Sequence, residues 1–249
     1  MANQQILAEK SYKTVYRDGN TVVKEFTASH PKSNVFNEAY IHSVAEEAGV
    51  PVPAILGVEP RDGGWAIRME YVDGKTIEEL IQEHPEQKEA LLDRFVEIQT
   101  EVESRRTPKL RNTRYKMEEV INGMSEIDAS TRYELLQRIH GMRRHTKLCH
   151  GDFVPSNVVI REDNSYCILD WAHATSGNAG ADAAITYMKL TLEDPETAEV
   201  YLRKYSHKAD MPIQYIQKWM PIVAAAQLSK HVESERELLE KWVSVAEYM

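Results

Sequence analysis

Residues His150–Asn157 place a histidine, an aspartate and an asparagine close together, and Asp170 follows thirteen residues after Asn157. A carboxylate such as Asp152 can accept a proton from an attacking hydroxyl group. Carboxylate and amide oxygens are also ligands that nucleotide-bound Mg²⁺ accepts. The spacing predicts a phosphoryl-transfer site, with Asp152 as the base and with Asn157 and Asp170 as the metal ligands.

The two predicted metal ligands must converge in space. Residues 157–160 are mostly β-branched and apolar, residues 161–165 form a polar turn, and residues 166–169 are apolar again. This pattern predicts a β-hairpin that returns Asp170 to the neighbourhood of Asn157. Single Asp and Asn residues in loops more often form turns or caps, but here the motif, its spacing and the hairpin agree.

The bulk composition places the chain among globular proteins. Its 249 residues are 42% hydrophobic and 28% charged, which is enough for one large domain or two lobes. We predict a cytoplasmic protein without a membrane partner, because neither a secretory leader nor a run of eighteen apolar residues is found. A net charge of -9 argues against a general nucleic-acid binder. The two cysteines, Cys149 and Cys167, lie in apolar runs and are predicted to be buried thiols.

One basic segment departs from the acidic average. Its members are Arg105, Arg106, Lys109, Arg111, Arg114 and Lys116. We interpret the segment as a solvated loop, because charge runs without interleaved aromatic residues usually lie at the surface. An anion-binding patch is the alternative, and the sequence leaves the role open.

The first seventy residues predict a small antiparallel sheet with one helix. Strands are expected at residues 13–16 and 21–26 around an Asp-Gly turn, and at residues 54–59 and 65–70. The apolar spacing of residues 34–48, which ends before a glycine, predicts the helix.

Lys24 falls within the second predicted strand, and Glu38 follows it by fourteen residues in the helix. We predict that this pair holds nucleotide phosphates, although a surface lysine and a helix first-turn glutamate are the alternatives. Glu70, Tyr71 and Val72 leave the sheet as an extended connector. Their backbone groups could bind an adenine edge, or they could simply be a strand end.

The remaining sequence predicts helices at residues 86–103, 130–145, 182–192 and 195–205, and two more after Pro212. Aromatic residues Trp219, Trp242 and Tyr248 are interpreted as core. Acidic residues are frequent toward this end: Glu193, Asp194, Glu196, Glu199, Asp210, Glu233, Glu235 and Glu237. They would suit a cationic substrate if they line its pocket, but a solvated helix surface is the commoner arrangement.

Together these motifs resemble the aminoglycoside phosphotransferase and choline kinase group, over roughly residues 5–192. The resemblance implies an α+β, bilobal protein-kinase-like fold. Its N-terminal nucleotide-binding lobe (residues 1–72) would be a small antiparallel sheet with one helix. Its larger, mainly helical C-terminal lobe (residues 73–249) would hold the catalytic and substrate-binding residues. It also implies ATP or GTP as the phosphate donor with Mg²⁺, and the hinge role of residues 70–72.

The chain departs from the family pattern at two places. Residues 8–15, where kinases have a glycine-rich phosphate loop, contain no glycine, so we expect Ser11 and Lys10 to contact phosphate instead. Gly177-Asn178-Ala179 replaces the usual Gly-Asp-Pro. The resemblance further implies that His150 and Asp182 support the catalytic loop, whereas a simple helix cap is the alternative for Asp182.

Only eleven residues separate Asp170 from Asp182, and no Ala-Pro-Glu follows, so a peptide-docking platform is not expected. We predict a kinase that phosphorylates the hydroxyl group of a small molecule. The first candidate acceptor is an aminoglycoside-type antibiotic or a similar cationic alcohol, in which case the enzyme would confer antibiotic resistance. Choline, sugars and amino acids are alternative acceptors. A catalytically silent nucleotide-binding regulator and a protein-modifying enzyme are the other readings. The sequence leaves the choice of ATP or GTP and the oligomeric state open.

Overall fold

The computed structural model describes residues 5–244, which form a mixed α and β structure. The strands are β1 Gln5–Lys10, β2 Lys13–Asp18, β3 Thr21–Phe26, β4 Ile55–Arg61, β5 Gly64–Glu70, β6 Lys75–Thr76, β7 Lys147–Cys149, β8 Val158–Ile160, β9 Tyr166–Ile168 and β10 Thr175–Gly177. The helices are α1 Lys32–Glu47, α2 Ile77–Glu83, α3 Lys88–Ser104, α4 Thr113–Gly123, α5 Ala129–Gly141, α6 Ala179–Glu193, α7 Pro195–Lys208, α8 Ile213–Gln217, α9 Met220–Leu228 and α10 Arg236–Val243.

The chain forms two compact units. The first contains the residues up to Leu80 together with Pro155–His173, and the second contains Ile81–Val154 and the residues from Ala174 onward. These units do not follow the predicted boundary between residues 72 and 73. The reason is main-chain pairing, because β6 pairs with β8 and β8 with β9, which ties the predicted hairpin to the N-terminal residues.

The first unit is built on an antiparallel sheet of five strands in the order β1-β2-β3-β5-β4. Strand side chains alternate between faces, so Val23 and Phe26 of β3 belong to different apolar clusters. Phe26 packs with Ile67 and with Val35 and Ala39 of α1. The four predicted strands and the helix are present. Strand β1 was not predicted, because its side chains are all exposed and carry no pattern of burial.

The predicted hairpin is also present in this unit. Strands β8 and β9 pair antiparallel from Val158 opposite Ile168 to Ile160 opposite Tyr166. The N–H of Asn164, in the left-handed conformation at φ 65°, donates to the carbonyl of Arg161 and closes the turn. The two apolar runs on either side of a polar turn were therefore sufficient to predict this element.

The second unit is mainly helical and contains a two-stranded sheet of β7 and β10. Fully buried aromatic rings of α3, α7 and the loop after β7 pack at its centre, with the ring centroids of Phe95 and Phe153 4.7 Å apart. Trp219 and Trp242 are buried, as predicted, and Tyr248 lies outside the described residues. None of the helices between residues 5 and 244 has the length and apolarity that crossing a membrane would need.

The basic segment, residues 105–116, was predicted to be a loop, and this is correct only for residues 105–112. The loop ends at Asn112, whose side chain accepts a hydrogen bond from the N–H of Arg114 and caps α4. Met117 and Ile121 form the buried side of this helix. The charged residues of its first turn concealed the apolar stripe, which begins only at its fifth residue.

Both cysteines are buried free thiols, as predicted. Burial is the main cause that raises the pKa of the Cys167 thiol to about 12. Burial also raises the pKa of the Cys149 thiol well above its ordinary value. Neither side chain is therefore suited to act as a nucleophilic thiolate at neutral pH.

Candidate active site

A buried lysine between two carboxylates lies in the first unit. Lys24 shares the α1-facing side of β3 with Phe26, since the two positions are two residues apart. Glu38 lies on α1 one turn after Val35, on the side of the helix that covers the sheet. Lys24 is only 4% exposed, and its ammonium group donates to Glu38 and, at 2.8 Å, to Oδ1 of Asp170.

The charges of this cluster stabilise one another. Burial lowers the pKa of Lys24, but Asp170 and Glu38 outweigh burial and hold the pKa above its ordinary value. Burial raises the pKa of Asp170, but Lys24 and Lys13 outweigh it and hold that pKa well below its ordinary value. Asp170 is therefore an ionised carboxylate at neutral pH.

Asp170 and Asn157 are brought together by the hairpin. The N–H of Leu169 donates to the carbonyl of Asn157 at 2.8 Å, so the residue before Asp170 is bonded directly to Asn157. Asp170 has a φ of 53°, a strained conformation for a residue with a side chain. An ionised carboxylate and an amide oxygen at this end of the hairpin are hard ligands of the kind that Mg²⁺ takes together with phosphate oxygens.

The other predicted nucleotide contacts lie at the edges of the same unit. Ser11 lies in the tight turn between β1 and β2, where Lys10 pairs with Lys13, and its side chain is exposed. The N–H of Glu70 donates to the carbonyl of Ala54 at 2.9 Å, so it is already used within the unit.

The remaining hinge residues differ from each other. The N–H of Tyr71 donates to the carbonyl of Asn20 at 3.0 Å, and the guanidinium of Arg17 lies 3.6 Å from the centre of the tyrosine ring. Tyr71, like Glu70, therefore cannot offer its N–H to a nucleotide base in this conformation. Val72 is the next residue along the connector and is half-buried.

The second unit holds the loop His150–Asp152 in a fixed conformation. Asp182, in the first turn of α6, accepts hydrogen bonds from the N–H of His150 at 2.8 Å and from the N–H of Gly151 at 2.7 Å. Gly151 has a φ of 76°, which a residue without Cβ adopts at low cost. The N–H of Asp152 donates to Nδ1 of His150 at 3.1 Å.

Asp182 is not the cap of its helix. The side chain of Asn178 accepts a hydrogen bond from the N–H of Gly180 at 2.8 Å and caps α6. Asn178 also donates to the hydroxyl of Tyr215 at 2.6 Å. Residue 178, whose role the sequence left open, thus begins the helix and leaves both oxygens of Asp182 to the loop.

Asp152 and its neighbours are supported by α6 as well. Lys189 forms an ion pair with Oδ1 of Asp152, and the hydroxyl of Thr186 donates to the carbonyl of Phe153 at 2.8 Å. The side chain of Asp152 is 17% exposed. A carboxylate that is held by its backbone and by a neighbouring ammonium group, and that still reaches solvent, is suited to orient a hydroxyl group.

Sequence reasoning missed three of these residues. Lys189 follows Asp182 by seven residues, so the helical repeat places both on one side of α6. That spacing was a usable signal. Lys13, whose ammonium lies 3.6 Å from Oδ2 of Asp170, and Thr186 are recognisable only from tertiary structure.

A sequence model of the phosphotransferase enzyme family matches residues 5–215. The chain belongs to that family. This confirms the predicted family and the predicted enzyme class, a small-molecule kinase. No curated protein sequence matches the chain.

Solved structures show the same fold at low sequence identity. The apo form of a thermostable mutant of aminoglycoside phosphotransferase APH(4)-Ia aligns with a TM-score of 0.74 and 12% identity, over 99% of this chain and 96% of that one. ADP-bound aminoglycoside phosphotransferase APH(2'')-Ib gives 0.63 and 17%, over 97% and 90%. Choline kinase LicA from Streptococcus pneumoniae gives 0.64 and 13%, over 97% and 92%. The predicted α+β kinase-like fold is therefore confirmed.

Proposed function

We propose that the protein transfers the γ-phosphate of ATP or GTP to a hydroxyl group of a small molecule. The observation that carries the proposal is the buried Lys24 between Glu38 and Asp170 in a chain of the phosphotransferase enzyme family. A buried ammonium group with two carboxylates is expensive to desolvate and is a weak source of stability. Its presence is explained if the ammonium group serves to bind phosphate.

The first unit would bind the nucleotide. Lys24 would contact the phosphates while Glu38 fixes its position, and Asn157 and Asp170 would hold Mg²⁺. Bound Mg²⁺ would neutralise negative charge on the phosphates. Ser11, at the glycine-free turn, would cover the phosphates with its hydroxyl group. For the base of the nucleotide, Val72 is the hinge residue that we assign to contact through its backbone, with Glu70 and Tyr71 holding the connector.

The second unit would activate the acceptor. Asp152 would orient the hydroxyl group and take its proton, while Asp182 and His150 hold the loop. Lys189 would keep the carboxylate of Asp152 in place before the acceptor binds. Structural neighbours include an APH(4)-Ia mutant in a ternary complex with ADP and hygromycin B, which supports a nucleotide donor and an aminoglycoside-type or similar cationic acceptor here.

Two of the acidic C-terminal residues, Asp194 and Glu199, are engaged within the protein and add no support for a cationic acceptor. Asp194 caps α7 and its carboxylate lies 3.0 Å from Lys88. Glu199 accepts a hydrogen bond from Tyr187 at the surface. The proposal of a cationic acceptor therefore rests on the neighbours, and choline, sugars and amino acids belong in the same test.

The test is release of ADP or GDP by the purified protein with Mg²⁺, measured across pools of aminoglycosides, amino alcohols, sugars and amino acids. We expect one pool to stimulate release, and phosphorylated acceptor to appear by mass spectrometry. If nucleotide binds but no pool stimulates release, a silent nucleotide-binding regulator would replace the proposal. Unchanged aminoglycoside susceptibility of an expressing host would contradict the resistance phenotype.

A further inference from the structure

A concave basic surface lies in the second unit, around the start of α4 and the segment before β7. The cavity has a volume of about 420 Å³. Its lining is rich in groups that donate hydrogen bonds to anions and consists of Arg106, Asn112, Arg114, Tyr115, Glu118, His140, Arg144, His145 and Thr146. We refer to it as the basic cavity. None of the residues assigned to phosphoryl transfer lines it.

Positive charge in the basic cavity is not neutralised by the protein. Arg106 and Arg144 have exposed side chains and form no ion pair with any residue from 5 to 244. The guanidinium of Arg114 reaches only backbone carbonyls, at 3.4 and 3.5 Å. The one carboxylate, Glu118, lies 3.3 Å from His140. Three arginines thus face a cavity with one already engaged acid, in a protein whose net charge is -9.

The positive charges around the basic cavity also affect the pKa of His145, which lines it. Burial, followed by the charges of Lys147, Arg106 and Arg143, lowers the pKa of His145. Three cations therefore lie close enough to this histidine to disfavour a further positive charge. A bound anion would relieve their mutual repulsion.

The wall of the basic cavity is fixed by main-chain bonds. The N–H of Thr107 donates to the carbonyl of Thr146 at 3.2 Å, and the N–H of Leu148 donates to the carbonyl of Arg105 at 2.9 Å. Asn112 both caps α4 and pairs with Ser176 in an isolated bridge. Because the main chain of the wall is fixed, a ligand would have to order only the side chains of the cavity.

We propose that the basic cavity binds a phosphate-bearing small molecule. Arginine forks match phosphate oxygens in geometry and charge, and three of them can share a multiply charged anion. The volume lies within the range of small-molecule pockets, roughly 300–1,000 Å³. Tyr115, 59% exposed at the rim, offers a flat apolar surface to the uncharged part of the ligand. A basic surface that encloses a cavity and does not form a long stripe favours a small molecule over nucleic acid.

The test titrates the full-length protein with tripolyphosphate by isothermal calorimetry, without Mg²⁺ or nucleotide. The cavity variant is Arg106→Gln with Arg144→Gln. Both residues are exposed, so the fold should tolerate the change, and circular dichroism and thermal unfolding check this. The matched control is Arg138→Gln with Arg203→Gln, which removes the same charge outside the cavity.

Loss of two charge-assisted contacts should weaken binding on the order of 100-fold in the cavity variant and leave the control near wild type. If the cavity variant binds tripolyphosphate as well as the wild type, or if both variants weaken equally, the proposal is wrong. Should the double variant fail to fold, Arg144→Gln alone is compared with Arg138→Gln on the same criterion. Titrations of the wild type and the cavity variant with ADP and glucose 6-phosphate then identify the source of the phosphate. The ligand of the cavity is the one whose binding the cavity variant loses, because ADP would also bind at the proposed nucleotide site.

Discussion

Replacing Asp182 by asparagine is the sharpest test of how the loop His150–Asp152, which holds the proposed base, is fixed. The two carboxylate oxygens of Asp182 accept from the N–H groups of Gly151 and His150 at 2.7 and 2.8 Å, and the side chain is 1% exposed. Asparagine keeps one acceptor but turns an NH₂ group toward the other N–H. One charge-assisted hydrogen bond, worth about 1.5–3 kcal/mol, is lost, and one buried donor is left without an acceptor.

Part of this loss is offset. Burial is the first cause that raises the pKa of Asp182, while the charge of His150 and the two N–H bonds oppose it. The buried charge therefore carries a free-energy cost that asparagine removes. We expect the free energy of unfolding to fall by about 1–3 kcal/mol. Because the loop positions Asp152, a shift of about 1 Å should lower kcat roughly 100-fold.

The assay is steady-state kinetics with the acceptor that stimulates nucleotide diphosphate release, beside urea unfolding followed by tryptophan fluorescence. The KM for nucleotide should change little, because Lys24 and Asp170 belong to the other compact unit. Asp62→Asn, in an exposed turn, is the matched control and should match the wild type in both measurements. A folded Asp182→Asn protein with wild-type kcat would refute the reasoning.

Three further substitutions test other parts of the account. Lys24→Met should raise the KM for nucleotide more than tenfold, because it removes a charge-assisted contact to phosphate worth at least about 1.4 kcal/mol, which is a factor of ten. Exposed Lys218→Met should leave this KM unchanged. Lys189→Met should lower kcat with little change in nucleotide KM, since it loosens the proposed base, and a wild-type kcat would contradict this. Burial, then the charge of Asp182, raises the pKa of Glu103 in the folded protein. The folded protein therefore holds the Glu103 proton more tightly than the unfolded chain does. As a result, the free energy of unfolding is highest below the unfolded pKa of about 4.3 and falls as pH rises from there toward the folded pKa. Glu103→Gln should gain unfolding free energy relative to the wild type between pH 4 and pH 8, and an equal gain at all pH values, or in the control Glu101→Gln, would exclude that cause.

Features encoded locally were predictable from the sequence. Four of the five strands of the sheet, β2 to β5, follow from β-branched runs and turn residues. Helix α1 follows from its apolar spacing and its terminating glycine. The hairpin between Asn157 and Asp170 follows from two apolar runs around a polar turn. Such patterns predict structure reliably because residues that are close along the chain are also in contact within the same strand, turn or helix.

Features that depend on tertiary contacts were not predictable from the sequence. β1 is fully exposed and has no periodicity to detect, and the charged start of α4 masked a buried stripe. The N–H of Tyr71 is taken by Asn20, fifty-one residues earlier, so the predicted hinge offers fewer donors than its sequence implies. Lys13 reaches Asp170 only because the sheet brings β2 beside the hairpin's end.

The most direct test of the central claim is Asp152→Asn, measured with the stimulating acceptor and beside the exposed control Asp163→Asn. A proposed general base accounts for about 10²–10⁴-fold in rate, so kcat should fall by that amount while the Kd for Mg²⁺-nucleotide stays at its wild-type value. A variant that transfers phosphate at the wild-type rate would show that Asp152 is not the base and would contradict the proposed mechanism.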